Sequence, residues 1–197
     1  MHLRGEKVII RPMVREDMEK MRAWRSFTDP LDALLNGSQY RSDINIWFHE
    51  QASDPSRRWY AIEDFAGCLI GRLSLRHIVE RKSARLGITL AADYLGQGYG
   101  TDAIRTFMVY YFQELGFEVL YLDVAAPNER AIHCYEKCGF KQIGSHYRGI
   151  GSDERLAFLK YEKYRHLRRF FKKKRGRNVV LFYDMKIEKK DLELQRQ

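Results

Sequence analysis

The stretch Leu90-Ala-Ala-Asp-Tyr-Leu-Gly-Gln-Gly-Tyr-Gly-Thr-Asp-Ala103 decides the fold. Ile88, Thr89 and Leu90 lead into it as a short apolar, β-branched run, which reads as the end of a strand. Gly96, Gly98 and Gly100 then alternate. Glycine adopts positive φ without steric cost and lets a ligand approach the backbone. From Thr101 the spacing predicts a helix, because Ile104, Phe107, Met108, Tyr111 and Leu115 fall on one face. Gly116 supplies its C-terminal stop. The free amides of the first helical turn, with the helix dipole, favour an anion. Loop amides ahead of them can form an anion-binding concavity. Alternating glycines can equally make no more than a tight turn. The segment has neither the lysine of a P-loop nor the G-x-G-x-x-G spacing of a dinucleotide site.

A second stretch, Leu122-Asp-Val-Ala-Ala-Pro-Asn-Glu-Arg-Ala-Ile-His-Cys-Tyr-Glu-Lys-Cys-Gly-Phe140, repeats the strand-to-helix pattern. Val119 to Val124 reads as a strand. One helix separates it from Leu90, so the two strands are expected to be parallel with a right-handed crossover. Pro127-Asn128 ends the strand and a helix runs from about Glu129 to Cys138, with Gly139 at the left-handed cap and Phe140 packing back. Tyr135 on that helix has two readings. It is either an amphipathic core residue or a proton donor to a leaving thiolate, which a phenol suits because the two pKa values lie within about two units.

These residues make the chain resemble the GNAT superfamily of acetyl-CoA-dependent N-acetyltransferases, and most of all its ribosomal-protein-alanine acetyltransferase-like branch. The family's R/Q-x-x-G-x-G/A pyrophosphate motif falls on Leu95, Gly96, Gln97, Gly98, Tyr99 and Gly100, with Thr101 opening the helix. Its later N-x-x-A-x-x-x-Y-E-K-x-G-F motif falls on Asn128, Ala131, Tyr135, Glu136, Lys137, Gly139 and Phe140. Val8-Ile-Ile-Arg-Pro and Arg15-Glu-Asp-Met resemble the family's first strand and helix, and the similarity spans about residues 5 to 148 and the last strand. Leu95 departs from the usual Arg or Gln, so one side-chain contact to pyrophosphate is missing.

The resemblance implies a mixed, mostly antiparallel sheet with a parallel, splayed central pair, flanked by helices. It implies acetyl-CoA as co-substrate, with no metal, and direct acetyl transfer to a primary amine of a protein N-terminus or a small molecule. The amides of Ile88, Thr89 and Leu90 are expected to hold pantetheine like a missing strand, and one of them to polarise the thioester carbonyl. Tyr135 would protonate the thiolate. Asp123 stands where related alanine acetyltransferases carry a glutamate base, although Asp is shorter and a strand-end Asp more simply makes a turn hydrogen bond; Glu63 and the six histidines are other options for the base, with no spacing argument for any one of them. The competing class is a binding module that holds acyl-CoA without turnover or associates with RNA or a ribosome.

Composition bounds the rest. With 197 residues and 45% hydrophobic content, one domain over 1–197 is the natural expectation. Cys68, Cys134 and Cys138 are an odd count with no secretory signal or membrane span, which fits a cytoplasmic protein. Cys134 and Cys138 are one helical turn apart and read as structural, since no second ligand pair has metal spacing. The net charge of +9 is concentrated: residues 160 to 177 hold ten Lys or Arg and one acid, and the remainder is balanced. We read this block as part of a basic helical insertion at 152–176 before the last strand. A solvated face is favoured over contact with an acidic partner such as RNA or a ribosome. A homodimer is left open.

Along the chain, strands are expected at Lys7–Arg11, Arg58–Glu63, Leu69–His77 and Arg85–Leu90. Helices are expected at about Arg15–Trp24 and from a Ser42 cap through Gln51. Phe27 to Arg41 reads as a loop because of Asp29-Pro30 and Asn36-Gly37. Residues 25–60 should shape the acceptor pocket. Phe140–Arg148 and Val179–Ile187 should close the sheet as an antiparallel pair, and the charged tail at 189–197 should fray.

Overall fold

The computed structural model describes residues 1–36 and 54–194. Its strands are β1 (Leu3–Arg4), β2 (Ile9–Pro12), β3 (Arg58–Glu63), β4 (Leu69–Val79), β5 (Ser83–Leu90), β6 (Val119–Ala125), β7 (Lys141–Gly151), β8 (Phe171–Lys174) and β9 (Arg177–Glu188). They form one sheet in the order β1-β2-β3-β4-β5-β6-β9-β7, with β8 also on β9. Every neighbouring pair is antiparallel except β5–β6, which is parallel.

One face of the sheet carries the main core. Helix α3 (Tyr99–Val109) buries Ala103, Ile104, Phe107 and Met108 there. Its last turn widens into a π-turn over Tyr110–Glu114, which buries Tyr111 and Phe112 before Gly116 turns the chain at φ 72°. Tyr111 stacks on Phe117 at 4.5 Å and donates its hydroxyl to the Val119 carbonyl at 2.8 Å. Helix α4 (Glu129–Lys137) joins this core through Tyr135, and the amide of Phe140 returns to the Tyr135 carbonyl past Gly139 at φ 91°. That is the expected left-handed cap.

On the other face, helix α1 (Arg15–Arg22) packs Met18 and Met21 against Ala61 and Leu69. It is tied down by charge. Asp17, fully buried, accepts both Arg11 guanidinium nitrogens at 2.7 Å and the Val14 amide at 2.9 Å. Burial alone would raise the Asp17 pKa. The Arg11 hydrogen bonds and the Val14 amide more than offset it and hold the carboxyl below its ordinary range.

Residues 30–36, expected within a loop, form helix α2 (Pro30–Asn36). Asp29 is its cap, accepting the Leu31 amide at 2.8 Å, and Pro30 takes the first helical position, where its missing donor costs nothing. The pair that looked like a breaker is a start signal. The expected helix from Ser42 through Gln51 lies outside the described residues.

The basic insertion is helical, but in 3-10 turns over Glu154–Lys160 and Glu162–Phe170, after which β8 begins. The reason is a period of three: Phe158, Tyr164, Leu167 and Phe170 are all buried, and side chains three apart eclipse on a 3-10 helix. They form a second core with Leu34, Ala126 and Val180. Arg175 and Gly176, both at positive φ, turn β8 into β9. The tail does not fray at its start: helix α5 (Lys189–Leu194) follows β9 and buries Leu192 against the main core.

Candidate active site

β5 and β6 pair only at Ser83–Val119, Ala84–Leu120 and Arg85–Tyr121. Beyond that point β5 stays on β4 as far as Leu90, and β6 stays on β9 as far as Ala125. The two strands therefore fork. On the forked side, β5 between Leu86 and Leu90 has no strand partner among the described residues, so backbone groups there are available to a ligand.

Past the end of β5, Ala92–Tyr94 makes one 3-10 turn, and Gly96 and Gly98 adopt φ 73° and 87°. A turn that alternates left-handed residues with ordinary ones directs its amides into a concavity. Gly98 is the N-cap of α3 and carries no side chain to satisfy the helix amides, which stay free for an anion. Gly100 is different. Its backbone is helical, and a Cβ there would meet Leu90 Cδ1 at 3.5 Å and Cys134 Sγ at 3.7 Å, ordinary contacts. Of the three alternating glycines, two are required by conformation. Lys7 Nζ donates to the Gln97 carbonyl at 3.0 Å, placing a cation beside the cradle from which the motif arginine is missing.

The fork and the cradle open into one cleft of 310 Å3, lined by Ile88, Leu90, Leu95, Gly98, Thr101 and Tyr135 among others. Gly96, Gly100 and Asn128 also border it. Gln97 and Tyr99 belong to the cradle but do not line that cleft. Thr89 points to the opposite face and lines a second cleft of 390 Å3, with Met21, Trp24, Arg25, Phe27 and Asn36. Asn36 borders both. Arg25, Phe27, Ala33 and Asn36 are described residues of the 25–60 segment that line this second cleft. Asn128 caps α4 by accepting the Ala131 amide at 3.2 Å, which fixes the helix that carries Tyr135.

Tyr135 is 8% exposed and packs edge-on to Phe140 at 6.0 Å. Among the described residues its hydroxyl has no hydrogen-bond partner. Burial pushes the phenol well above its ordinary value, so it holds its proton. A neutral phenol at the fork is a proton donor.

Asp123 is brought to the same fork on the opposite face of the sheet. It stands directly across from Asp184 on β9, whereas its neighbours Leu122 and Val124 point into the core that holds Tyr135. The carboxylate is 5% exposed and accepts Arg85 at 2.8 Å and Arg148 at 2.7 Å, with Arg76 at 4.0 Å. Burial would raise its pKa. The hydrogen bonds and charges of Arg85 and Arg148 prevail and hold it below the ordinary range. A carboxylate so held is a weak proton acceptor.

Sequence reasoning missed the residues that surround it. Beside this pair, His146 Nδ1 lies 2.9 Å from Asp184 and its Nε2 lies 3.2 Å from an Arg148 nitrogen. The signal available was alternation, since Arg76, Arg85, Asp123, Asp184, His146 and Arg148 occupy one face of five strands. Cys134, read as structural, lines the first cleft, with Sγ 3.3 Å from Thr101 Oγ1. Among the described residues no His, Cys, Asp or Glu cluster suits a metal ion.

A model of the acetyltransferase (GNAT) domain matches residues 7–141. A spermidine N(1)-acetyltransferase of Escherichia coli K12 is 31% identical over 153 residues, which cover 71% of this chain and 76% of that protein. The Vibrio cholerae enzyme of the same name is 33% identical over 103 residues, covering 52% of this chain and 60% of its own length. The putative ribosomal N-acetyltransferase YdaF of Bacillus subtilis is 32% identical over 88 residues, 44% of this chain and 48% of that protein. Among solved structures, the spermidine N-acetyltransferase of Vibrio cholerae in complex with CoA and spermine shares the fold at a TM-score of 0.68. It is 21% identical and covers 94% of this chain and 98% of that one.

Proposed function

The chain belongs to the GNAT family of acetyltransferases, and from that premise we propose that it transfers the acetyl group of acetyl-CoA directly to the primary amine of a small molecule. The observation that carries the reading is the fork between β5 and β6 with the neutral phenol of Tyr135 on its wall. The amides after Gly96 and Gly98 hold the pyrophosphate, and Lys7 supplies the charge that Leu95 does not. Ile88 and Leu90 bind the pantetheine arm along the unpaired side of β5, and a backbone amide there polarises the thioester carbonyl. Tyr135 gives its proton to the departing thiolate. The amine enters from the second cleft, beside Thr89 and Asn36, and attacks as the free base.

Asp123 acts here as a positioning residue that holds the fork, not as the base. Polyamines are the first acceptor class to assay, because two of the relatives are spermidine N(1)-acetyltransferases. The test is a panel of spermidine, spermine, an aminoglycoside and an alanine-terminated peptide with acetyl-CoA. CoA release is measured and each product is identified by mass spectrometry. Turnover of a small amine with the acetyl group on a primary nitrogen is expected. Turnover of the peptide alone would replace the small-molecule reading. Tight CoA binding with no turnover on any amine would replace it with a binding module.

A further inference from the structure

The mechanism makes no use of two thiols that sit where the acetyl donor is expected. Cys134 is half-buried and lines the first cleft, its Sγ 3.3 Å from Thr101 Oγ1. Cys138 is buried one helical turn further along, its Sγ 3.8 Å from the Thr101 carbonyl. Both sulfurs therefore contact Thr101, in the first turn of α3 beside the cradle. Cys138 is the C-cap of α4, the end of the helix where the backbone yields most readily. Tyr135 lies between the two on the same helix.

We propose that Cys134 and Cys138 form an oxidisable thiol pair inside the donor cleft, and that their disulfide shuts the cleft to acetyl-CoA. The chemistry requires a hydroperoxide as the oxidant. The Cys134 thiolate attacks the peroxide oxygen. A sulfur–oxygen bond forms, the oxygen–oxygen bond breaks, and the departing oxygen takes up a proton as water or alcohol. Cys138 sulfur then attacks the Cys134 sulfenic acid. The sulfur–sulfur bond forms, the sulfur–oxygen bond breaks, and hydroxyl leaves as water with the Cys138 proton. Two electrons pass from the thiol pair to the peroxide.

Three features place the first step at Cys134. It is the accessible member of the pair, its Sγ shares a hydrogen bond with Thr101 Oγ1, and it stands against the first turn of α3, which favours a thiolate. Its contacts with Cys138 and Thr101 lower its pKa, while the contact with Cys134, and then burial, raise that of Cys138. The consequence is geometric. Side chains four apart on a helix have β-carbons about 5–6 Å apart, whereas a disulfide needs about 3.8 Å. Closing the bond draws Cys134 off Thr101 and twists the turn that carries Tyr135.

The test uses the full-length protein with hydrogen peroxide, with and without acetyl-CoA. Trypsin cleaves after Arg130, Lys137 and Lys141, so the disulfide joins two peptides, residues 131–137 and 138–141. We expect that cross-link, its suppression by acetyl-CoA, and loss of CoA binding by calorimetry that dithiothreitol restores. Cys138→Ala should prevent the cross-link, and Cys134→Ser should make CoA binding resistant to peroxide. Cys68, exposed and outside the cleft, serves as an internal reference for reactivity. Oxidation of Cys68 without the cross-link would overturn the pairing. A quantitative cross-link that leaves CoA affinity unchanged would overturn the closure. The cleft assignment rests on the proposed function. Failure of the reduced protein to bind CoA would sink that reading, and is separable because the cross-link is scored without CoA.

Discussion

Arg85 donates to Asp123 at 2.8 Å, and Asp123 stands two residues past the last backbone pair that joins β5 to β6. Where the backbone ladder stops, a side-chain ion pair takes over. It ties the two strands at the crotch of the fork while the strands beyond it diverge. Arg148 on β7 closes the same carboxylate from the far side of β9 at 2.7 Å.

Removing the carboxylate should therefore act on stability and on cleft geometry together. Asp123→Asn weakens its bonds to two partly exposed guanidinium groups and should cost about 1.5 kcal/mol, the lower end for hydrogen bonds to charged groups. The folded pKa of Asp123 is depressed. Its contribution is thus complete above the unfolded-state value of about 3.9 and is lost as pH falls through the folded value. Urea unfolding of the wild type should weaken below about pH 4, and part of that acid sensitivity should vanish in Asp123→Asn. If Asp123 were the base, the variant would also lose the rising limb of kcat/KM with pH. As a clasp it should keep that limb at a lower rate and with a higher KM for acetyl-CoA.

Tyr135→Phe keeps the ring against Phe140 and removes the proton. Turnover should fall by about 10²–10⁴-fold, the range of general acid catalysis, with CoA affinity nearly unchanged. Because burial holds the phenol above its ordinary value of about 10, the wild-type rate should show no alkaline loss from this group below that pH. Near-wild-type turnover with chemistry rate-limiting would return Tyr135 to core packing.

The two left-handed glycines and the helical one should behave differently. Gly98→Glu sets a strained residue at φ 87° and an anion beside the pyrophosphate site, so CoA binding by calorimetry should be abolished in a folded protein. Gly100→Ala should fold as well as the wild type, since its backbone is helical and the added Cβ meets Leu90 and Cys134 only at ordinary contact distance. Unchanged CoA affinity in Gly98→Glu would remove the cradle from the donor site.

Much of this was legible in the sequence because it is written locally. Strand ends, the Gly96–Gly98 turn, the Asn128 cap and the Gly139 stop each depend on a few adjacent residues. The fork depends on where pairing ceases, and that was legible only through the resemblance. The environment of Asp123 was not legible at all. Its partners are remote, Arg85 being 38 positions away, and a carboxylate that looks like a base alone becomes a tied anion among arginines. Asp29-Pro30 was misread because the same two residues end one kind of segment and start another. The insertion was legible as helical but not as 3-10, because that form rests on a period near three in Phe158, Tyr164, Leu167 and Phe170.

That period also says how the basic block should respond to substitution. Tyr164, Leu167 and Phe170 point inward, while Tyr161 and all ten Lys and Arg between 160 and 177 are exposed. Lys163 and Lys173 pair with Asp29 and Asp153, and Arg169 and Lys172 sit over the Phe170 and Tyr147 rings, but Arg168 makes a tie within the backbone of the block. It donates to the Leu159 carbonyl at 2.7 Å and the Lys160 carbonyl at 2.9 Å, joining the two 3-10 segments. Replacing Arg169, Lys172, Lys174 and Arg177 together by Gln removes two exposed cation–π contacts, on Phe170 and Tyr147, worth about 0.5–1 kcal/mol each, and should leave acetyl transfer unchanged. Arg168→Gln alone should cost about 1 kcal/mol, a Tm drop of roughly 2–4 °C for a chain of this size. If the block is a solvated face, fluorescence anisotropy with a single-stranded RNA should give only weak binding. Tight RNA binding by the wild type that weakens steeply with salt, and a shallower salt slope in the fourfold variant, would instead make the block a nucleic-acid surface.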